Sequence, residues 1–148
     1  MEAKDKLRLN ILSYSQSPGP RYCNQGEDSG EDFYHNILNA KFYDAYKNQT
    51  KLVVDLDGPD GYASSFLDEA FGSLIYDFGI DLVKDFLEMK SDEEPEWKEM
   101  LYNYTFTEWD KRRKDRKEPK VTKEHDAWYR LVDTTIKKRV WTHSSSGK

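Results

Sequence analysis

Residues 7–13, Leu-Arg-Leu-Asn-Ile-Leu-Ser, alternate apolar and polar positions before the run Ser15-Gln16-Ser17-Pro18-Gly19-Pro20. That alternation describes a strand with one face on a core, and the proline-glycine cluster describes the turn that ends it. A shorter extended piece is predicted at Arg21-Tyr22-Cys23. Leu38, Phe42, Ala45 and Tyr46 then recur at i, i+4, i+7 and i+8, a helical spacing. Ser29 can cap that helix and Glu31 and Asp32 suit its positive end, so a helical region is predicted from about Gly30 to Lys47, with a break near Asn39.

Lys51 to Leu56 is a continuous apolar run closed by Asp55, Asp57 and Gly58, the form of a strand buried on both faces. Past Gly58-Pro59-Asp60-Gly61, the positions Phe66, Leu67, Ala70, Phe71, Leu74, Ile75 and Phe78 make one face of a helix. Ser64 or Ser65 is expected at its cap, Asp68 and Glu69 in its first turn, and Gly79 at its end. Gly72 on that helix is expected to let its backbone approach the sheet. Leu82 to Met89 contains a candidate short strand, and Ser91-Asp92-Glu93-Glu94-Pro95 signals a further helix start. Trp97, Leu101 and Tyr104 share one face of a helix reaching about Lys117. After Pro119, the spacing of Trp128, Leu131, Val132, Ile136 and Val140 predicts a last helix, and residues 144–148 read as a disordered tail. Strands alternating with helices give an α/β fold with at least one parallel pair of strands.

Composition narrows the class. The chain has 148 residues, 36% hydrophobic and 34% charged, enough for one domain whose core leans on four Trp, ten Tyr and seven Phe. Its apolar runs are far shorter than the roughly 18 residues of a membrane span, and Met1-Glu2-Ala3-Lys4-Asp5 is unlike a secretory signal, so a cytoplasmic protein is expected. With one cysteine, Cys23, and only His35, His125 and His143 beside it, the chain has no disulfide and no spaced set of soft metal ligands. No metal or other cofactor is expected. Residues 1–95 carry 9 Lys and Arg against 19 Asp and Glu, a net −10, whereas residues 96–148 carry +5. An acidic body with a basic tail disfavours nucleic acid, and the run Lys111-Arg112-Arg113-Lys114-Asp115-Arg116-Lys117 reads as a solvated helix end.

The densest polar constellation runs from Asp55 to Ser65. In open α/β sheets, ligands bind beyond the carboxyl end of a central strand, facing the next helix N-terminus. Asp55 and Asp57 would lie at that rim with Ser64 and Ser65 opposite; the plain alternative is a turn and a helix cap. The string Val54-Asp55-Leu56-Asp57-Gly58 also resembles the opening motif of haloacid dehalogenase-type phosphatases, which implies Asp55 as nucleophile and Asp57 as general acid, with magnesium. Pro59 stands where that family has threonine, and the later lysine and paired-aspartate motifs are missing.

A longer resemblance covers residues 6–90. Gly19-Pro20-Arg21-Tyr22, Ser29-Gly30-Glu31-x-Phe33, Val54-Asp55-Leu56-Asp57-Gly58 and Gly61-Tyr62-x-Ser64-Ser65-Phe66-Leu67-Asp68-Glu69-Ala70-Phe71-Gly72 resemble the bacterial STAS-like family of unknown function. The resemblance implies a small mixed sheet of about four strands with helices packed mainly on one side, over residues 1–95. Residues 96–143 then read as a helical extension packed on it, before the 144–148 tail. In the wider STAS group, anti-sigma factor antagonists carry a serine at this helix start that an ATP-binding kinase phosphorylates, and Ser64 falls on that position with Ser65 next. Ala63 replaces the usual preceding aspartate and Phe66 the following glycine. The resemblance makes Arg21, Ser29, Gly30, Glu31, Asp55, Asp57, Tyr62, Asp68 and Glu69 the candidate partner surface. Arg21 is expected to pair with Glu31, Asp55 or Glu69, or else to be solvated. The resulting expectation is a non-enzymatic regulatory module that binds a protein, with a histidine-kinase-type ATPase as the implied partner. An Asp-dependent phosphoryl-transfer enzyme and a nucleic-acid-associated adaptor of a defence system are the alternatives.

Overall fold

The computed structural model describes residues 5–139. Three short parallel strands, β1 (Leu7–Asn10), β2 (Leu52–Asp55) and β3 (Leu87–Lys90), form one sheet in the order β1-β2-β3, with Leu7 beside Leu52 and Leu52 beside Leu87. Their apolar residues explain the order. Leu52, Val53 and Val54 are all buried, as a central strand covered on both faces requires, and the edge strands alternate. The parallel pairing matches the crossover argument. In place of one mixed sheet of about four strands, there are three parallel strands and a separate antiparallel hairpin, β4 (Trp128–Val132) with β5 (Thr135–Arg139).

Between β1 and β2 the chain forms a short turn of helix, α1 (Ile11–Tyr14), a 3₁₀ turn at Cys23–Gln25, then α2 (Gly30–Phe33) and α3 (Asn39–Lys47), joined by a π-helical turn at Tyr34–Leu38. The extended piece expected at Arg21-Tyr22-Cys23 is therefore a bend leading into a 3₁₀ turn. Ser29 does cap α2, its Oγ accepting from the Asp32 N–H at 3.0 Å. Near Asn39, helix continues through the π turn. The wider turn aligns residues five apart, and so Asn39 Nδ2 donates to the Tyr34 hydroxyl at 2.9 Å.

From β2 the chain enters α4 (Ser64–Phe78), ended by Gly79 at φ 87°, a left-handed conformation that glycine adopts without strain. The cap position is Ala63 in extended backbone with no side-chain hydrogen bond; Ser64 is already the first helical residue. Asp68 and Glu69 consequently fall beyond the first turn. α5 (Ile80–Phe86) returns the chain to β3. Ser91 caps nothing either: its Oγ donates to the Glu94 carbonyl at 2.7 Å, and α6 (Pro95–Met100) starts on its proline.

A second π turn, Leu101–Thr105, joins α6 to α7 (Phe106–Lys114) and shifts the inner face. Leu101, Thr105, Phe106 and Trp109 point inward, whereas Tyr104 is exposed. α7 lies along α4, where the Trp109 ring covers Gly72: a Cβ on that glycine would sit 2.1 Å from Trp109 Cε2. Gly72 thus admits an indole, not the sheet.

The last helix is the largest departure. Residues 128–139 form the β4–β5 hairpin, with Leu131 opposite Ile136 and Asp133 at φ 58° in its tight turn. Two periodicities compete here. Trp128, Leu131, Val132 and Ile136 fit a helix, but Trp128 and Arg130 are buried two apart, the period of a strand. Tertiary partners decide it, because Asn39 imitates a neighbouring strand, accepting from the Tyr129 N–H at 2.8 Å and donating to its carbonyl at 2.9 Å. Val140 and residues 144–148 lie outside the described residues.

Candidate functional site

Three polar clusters surround α4. The first lies at the carboxyl end of the sheet. Asp57 accepts from the backbone N–H groups of Glu93 at 2.9 Å and Asp92 at 3.0 Å, and from Lys90 Nζ at 3.0 Å. Desolvation alone would raise the Asp57 carboxyl, but the Glu93, Asp92 and Lys90 donors together outweigh it and hold the group below the usual range. Asp55 accepts from the Asp57 N–H at 2.9 Å and stands 3.8 Å from Lys90 Nζ. The two aspartates therefore pin the β3–α6 loop to the end of β2. The Tyr62 hydroxyl donates to the Leu56 carbonyl at 2.6 Å. Beside this tied framework Ser64 is exposed and Ser65 half-buried, and neither side chain makes a hydrogen bond among the described residues.

The second cluster is held by Arg21. Its Nη1 donates to Asp68 Oδ2 at 2.7 Å and to Glu69 Oε1 at 3.0 Å, so its partners lie on α4 and include neither Glu31 nor Asp55. Asp68 also accepts from the Thr105 hydroxyl and from Trp109 Nε1. Glu69 is buried, and desolvation, only partly offset by Arg21, raises its carboxyl to about 7. Because the folded value lies above the unfolded one, near 4.5, the stability this group contributes is complete below pH 4.5 and is lost as pH rises through about 7. Glu69→Gln removes that loss. Thermal melts should show the variant gaining on the wild type between pH 4.5 and 8, by about 3 kcal/mol. A stability difference independent of pH would contradict this reading.

The third cluster joins residues far apart in sequence. Glu31, buried in α2, accepts from the Cys23 N–H at 3.0 Å, the Thr122 N–H at 2.9 Å and the Thr122 hydroxyl at 2.6 Å. His125 Nε2 is 2.7 Å from Glu31 Oε2. Desolvation alone would raise the Glu31 carboxyl; His125, Thr122 and the backbone donors outweigh it and hold the group at about 2. Ser29, besides capping α2, donates to Cys23 Sγ at 3.4 Å. Gly30 packs against the α4 backbone, where a Cβ would stand 2.5 Å from the Phe66 carbonyl oxygen. Cys23 Sγ, a Glu31 oxygen and His125 Nε2 all lie within 4.8 Å of one another. The His35 ring stacks on His125 with centroids 4.1 Å apart, and desolvation lowers it to about 3.

The predicted residues thus fall into two groups on either side of the α4 N-terminus: Asp55, Asp57 and Tyr62 on one, Arg21, Ser29, Gly30, Glu31, Asp68 and Glu69 on the other. Missed from sequence were Thr122, His125, Asp77 and Arg130. Asp77 is buried on α4, where it accepts from Arg130 Nε at 2.5 Å and from the Tyr34 hydroxyl. A carboxylate on the apolar face of a helix is the one signal that could have found it, because buried charges need partners.

No curated protein and no solved structure matches the chain. The matched family segment begins at the Ser29 cap, takes in β2, α4 and β3, and ends in α6, leaving β1, α7 and the hairpin outside it. Over residues 29–97 the chain matches the family described as a STAS-like domain of unknown function (DUF4325).

Proposed function

We propose that the chain is a non-enzymatic regulatory module that binds a protein partner through the surface around the α4 N-terminus, with Ser64 as its control point. The observation that carries this reading is the contrast at that surface. Ser64 offers an exposed, unbonded hydroxyl on the first residue of a helix whose later residues are nearly all buried, while the carboxylates around it are occupied within the fold. A phosphate there would add a charge of about −1.5 to −2 where the helix dipole favours anions, so the fold would persist while the surface changed sign. The resemblance to anti-sigma factor antagonists makes a histidine-kinase-type ATPase the partner of choice.

The phosphatase alternative fits less well. A nucleophile and a general acid need free carboxylates, and Asp57 already accepts from three donors. A nucleic-acid role fits less well too. In the basic run, Arg113 donates to the Tyr76 and Leu131 carbonyls, Arg112 lies over the Trp109 ring and Lys114 pairs with Asp110. Affinity capture from the native host tests the proposal. Wild type and Ser64→Ala should retain an ATP-binding protein, and Ser64→Asp should release it at an unchanged melting temperature. Equal retention by all three would remove Ser64 from the interface.

A further inference from the structure

Cys23, Glu31 and His125 come from three segments that meet only in the folded chain: the 3₁₀ turn, the first turn of α2, and the irregular stretch between α7 and β4. We propose that Cys23 Sγ, the Glu31 carboxylate and His125 Nε2 form a binding site for one borderline-soft divalent cation of the zinc type.

The donor set is a sulfur, an oxygen and an imidazole nitrogen, the combination zinc takes with a water in the fourth position. Zinc–ligand distances of about 2.0 to 2.3 Å place tetrahedral ligand atoms roughly 3.3 to 3.8 Å apart. The His125–Glu31 contact at 2.7 Å would open by less than about 1 Å, and Cys23 Sγ, within 4.8 Å of both, would close by about as much. A thiolate and a carboxylate neutralise the dication, so the charge is not buried unpaired.

The surroundings supply the support such ligands need. The Thr122 hydroxyl and the Cys23 N–H hold Oε1 of the Glu31 carboxylate, and the Thr122 N–H holds Oε2, which also faces His125. The Ser29 hydroxyl points at the sulfur, and the His35 ring fixes the plane of His125 by stacking. An open cleft of about 590 Å³, lined by Cys23, Ser29, Glu27, Asp28, Asp32 and Lys123, borders Cys23, and its three acids against one lysine favour the approach of a cation. On binding, the Cys23 thiol gives its proton to solvent. The proton between His125 Nε2 and Glu31 also passes to solvent, Nδ1 holds the one proton of the neutral imidazole, and Nε2 and Glu31 each bond to the metal. The ion would fasten the 115–127 stretch to α2.

Titration of the metal-stripped full chain with cobalt(II), then zinc(II), tests the site. One cobalt per chain should bind with a thiolate-to-cobalt charge-transfer band, zinc should displace it, and the melting temperature should rise. Cys23 is only half-buried, so Cys23→Ser should fold; it should abolish the band and weaken binding at least about tenfold. Thr122→Val keeps all three ligands and should weaken binding about 10- to 100-fold. No uptake, or a band unchanged in Cys23→Ser, would overturn the proposal and leave Glu31 and His125 as a hydrogen-bonded pair alone.

Discussion

A chain cut after Lys90 should fail to give soluble, cooperatively melting protein. The cut removes Leu101, Phe106 and Trp109, all buried, together with Trp128. Burial of each such side chain contributes about 1.5 to 3 kcal/mol, against a net stability of about 5 to 15 kcal/mol for a whole domain. The polar consequences point the same way. Asp77 would lose Arg130 while remaining on the apolar face of α4, and Glu31 would lose Thr122 and His125. Breaking a buried ion pair by removing one partner costs about 3 to 5 kcal/mol. Circular dichroism melts of the full and the shortened chain decide the matter. A truncated monomer as stable as the full chain would mean that residues 95–139 form an arm rather than part of the core.

The second large effect concerns one methyl group. Gly72→Ala should destabilise the full chain by about 1 to 3 kcal/mol, because the added Cβ would stand 2.1 to 2.4 Å from three atoms of the Trp109 indole. Trp109→Ala should cost about 3 to 5 kcal/mol by itself. The two substitutions should not add. With the indole gone, the Gly72 methyl meets open space and restores helix propensity worth about 1 kcal/mol, so in the Trp109→Ala background Gly72→Ala should be neutral or stabilising. Additive losses in chemical denaturation would contradict the packing of α7 on α4.

These two experiments probe the part of the fold that was least legible in the sequence. β1, β2 and α4 could be read from Leu7–Asn10, Leu52–Asp55 and Phe66–Phe78 because each carries a clear local period. The hairpin could not, because the residues that make 128–139 a pair of strands include Asn39, about 90 positions away. The π turns were equally hidden: at Leu101–Thr105 the shift in phase exchanges Tyr104 for Thr105 on the inner face. The candidate site was legible where its residues lie near one another, as with Asp55 and Asp57, although the sequence could not say that they hold the loop at Asp92 and Glu93. Arg21 was recognised as a residue seeking a carboxylate, and of its two partners Glu69 was among those expected, whereas Asp68 had been marked for another reason. His125 carried no local signal, since its partner Glu31 is 94 positions away.

The claim on which the functional reading rests is that Ser64, on the exposed start of α4, governs partner binding. Phosphate mapping by mass spectrometry on the chain isolated from its native host tests it most directly, with the partner-bound and free pools analysed separately. The expected result is a single phosphate on Ser64 in the free pool and unmodified Ser64 in the bound pool. Unmodified Ser64 in both pools, with the partner held regardless, would contradict it and leave Ser64 as no more than the first residue of a helix.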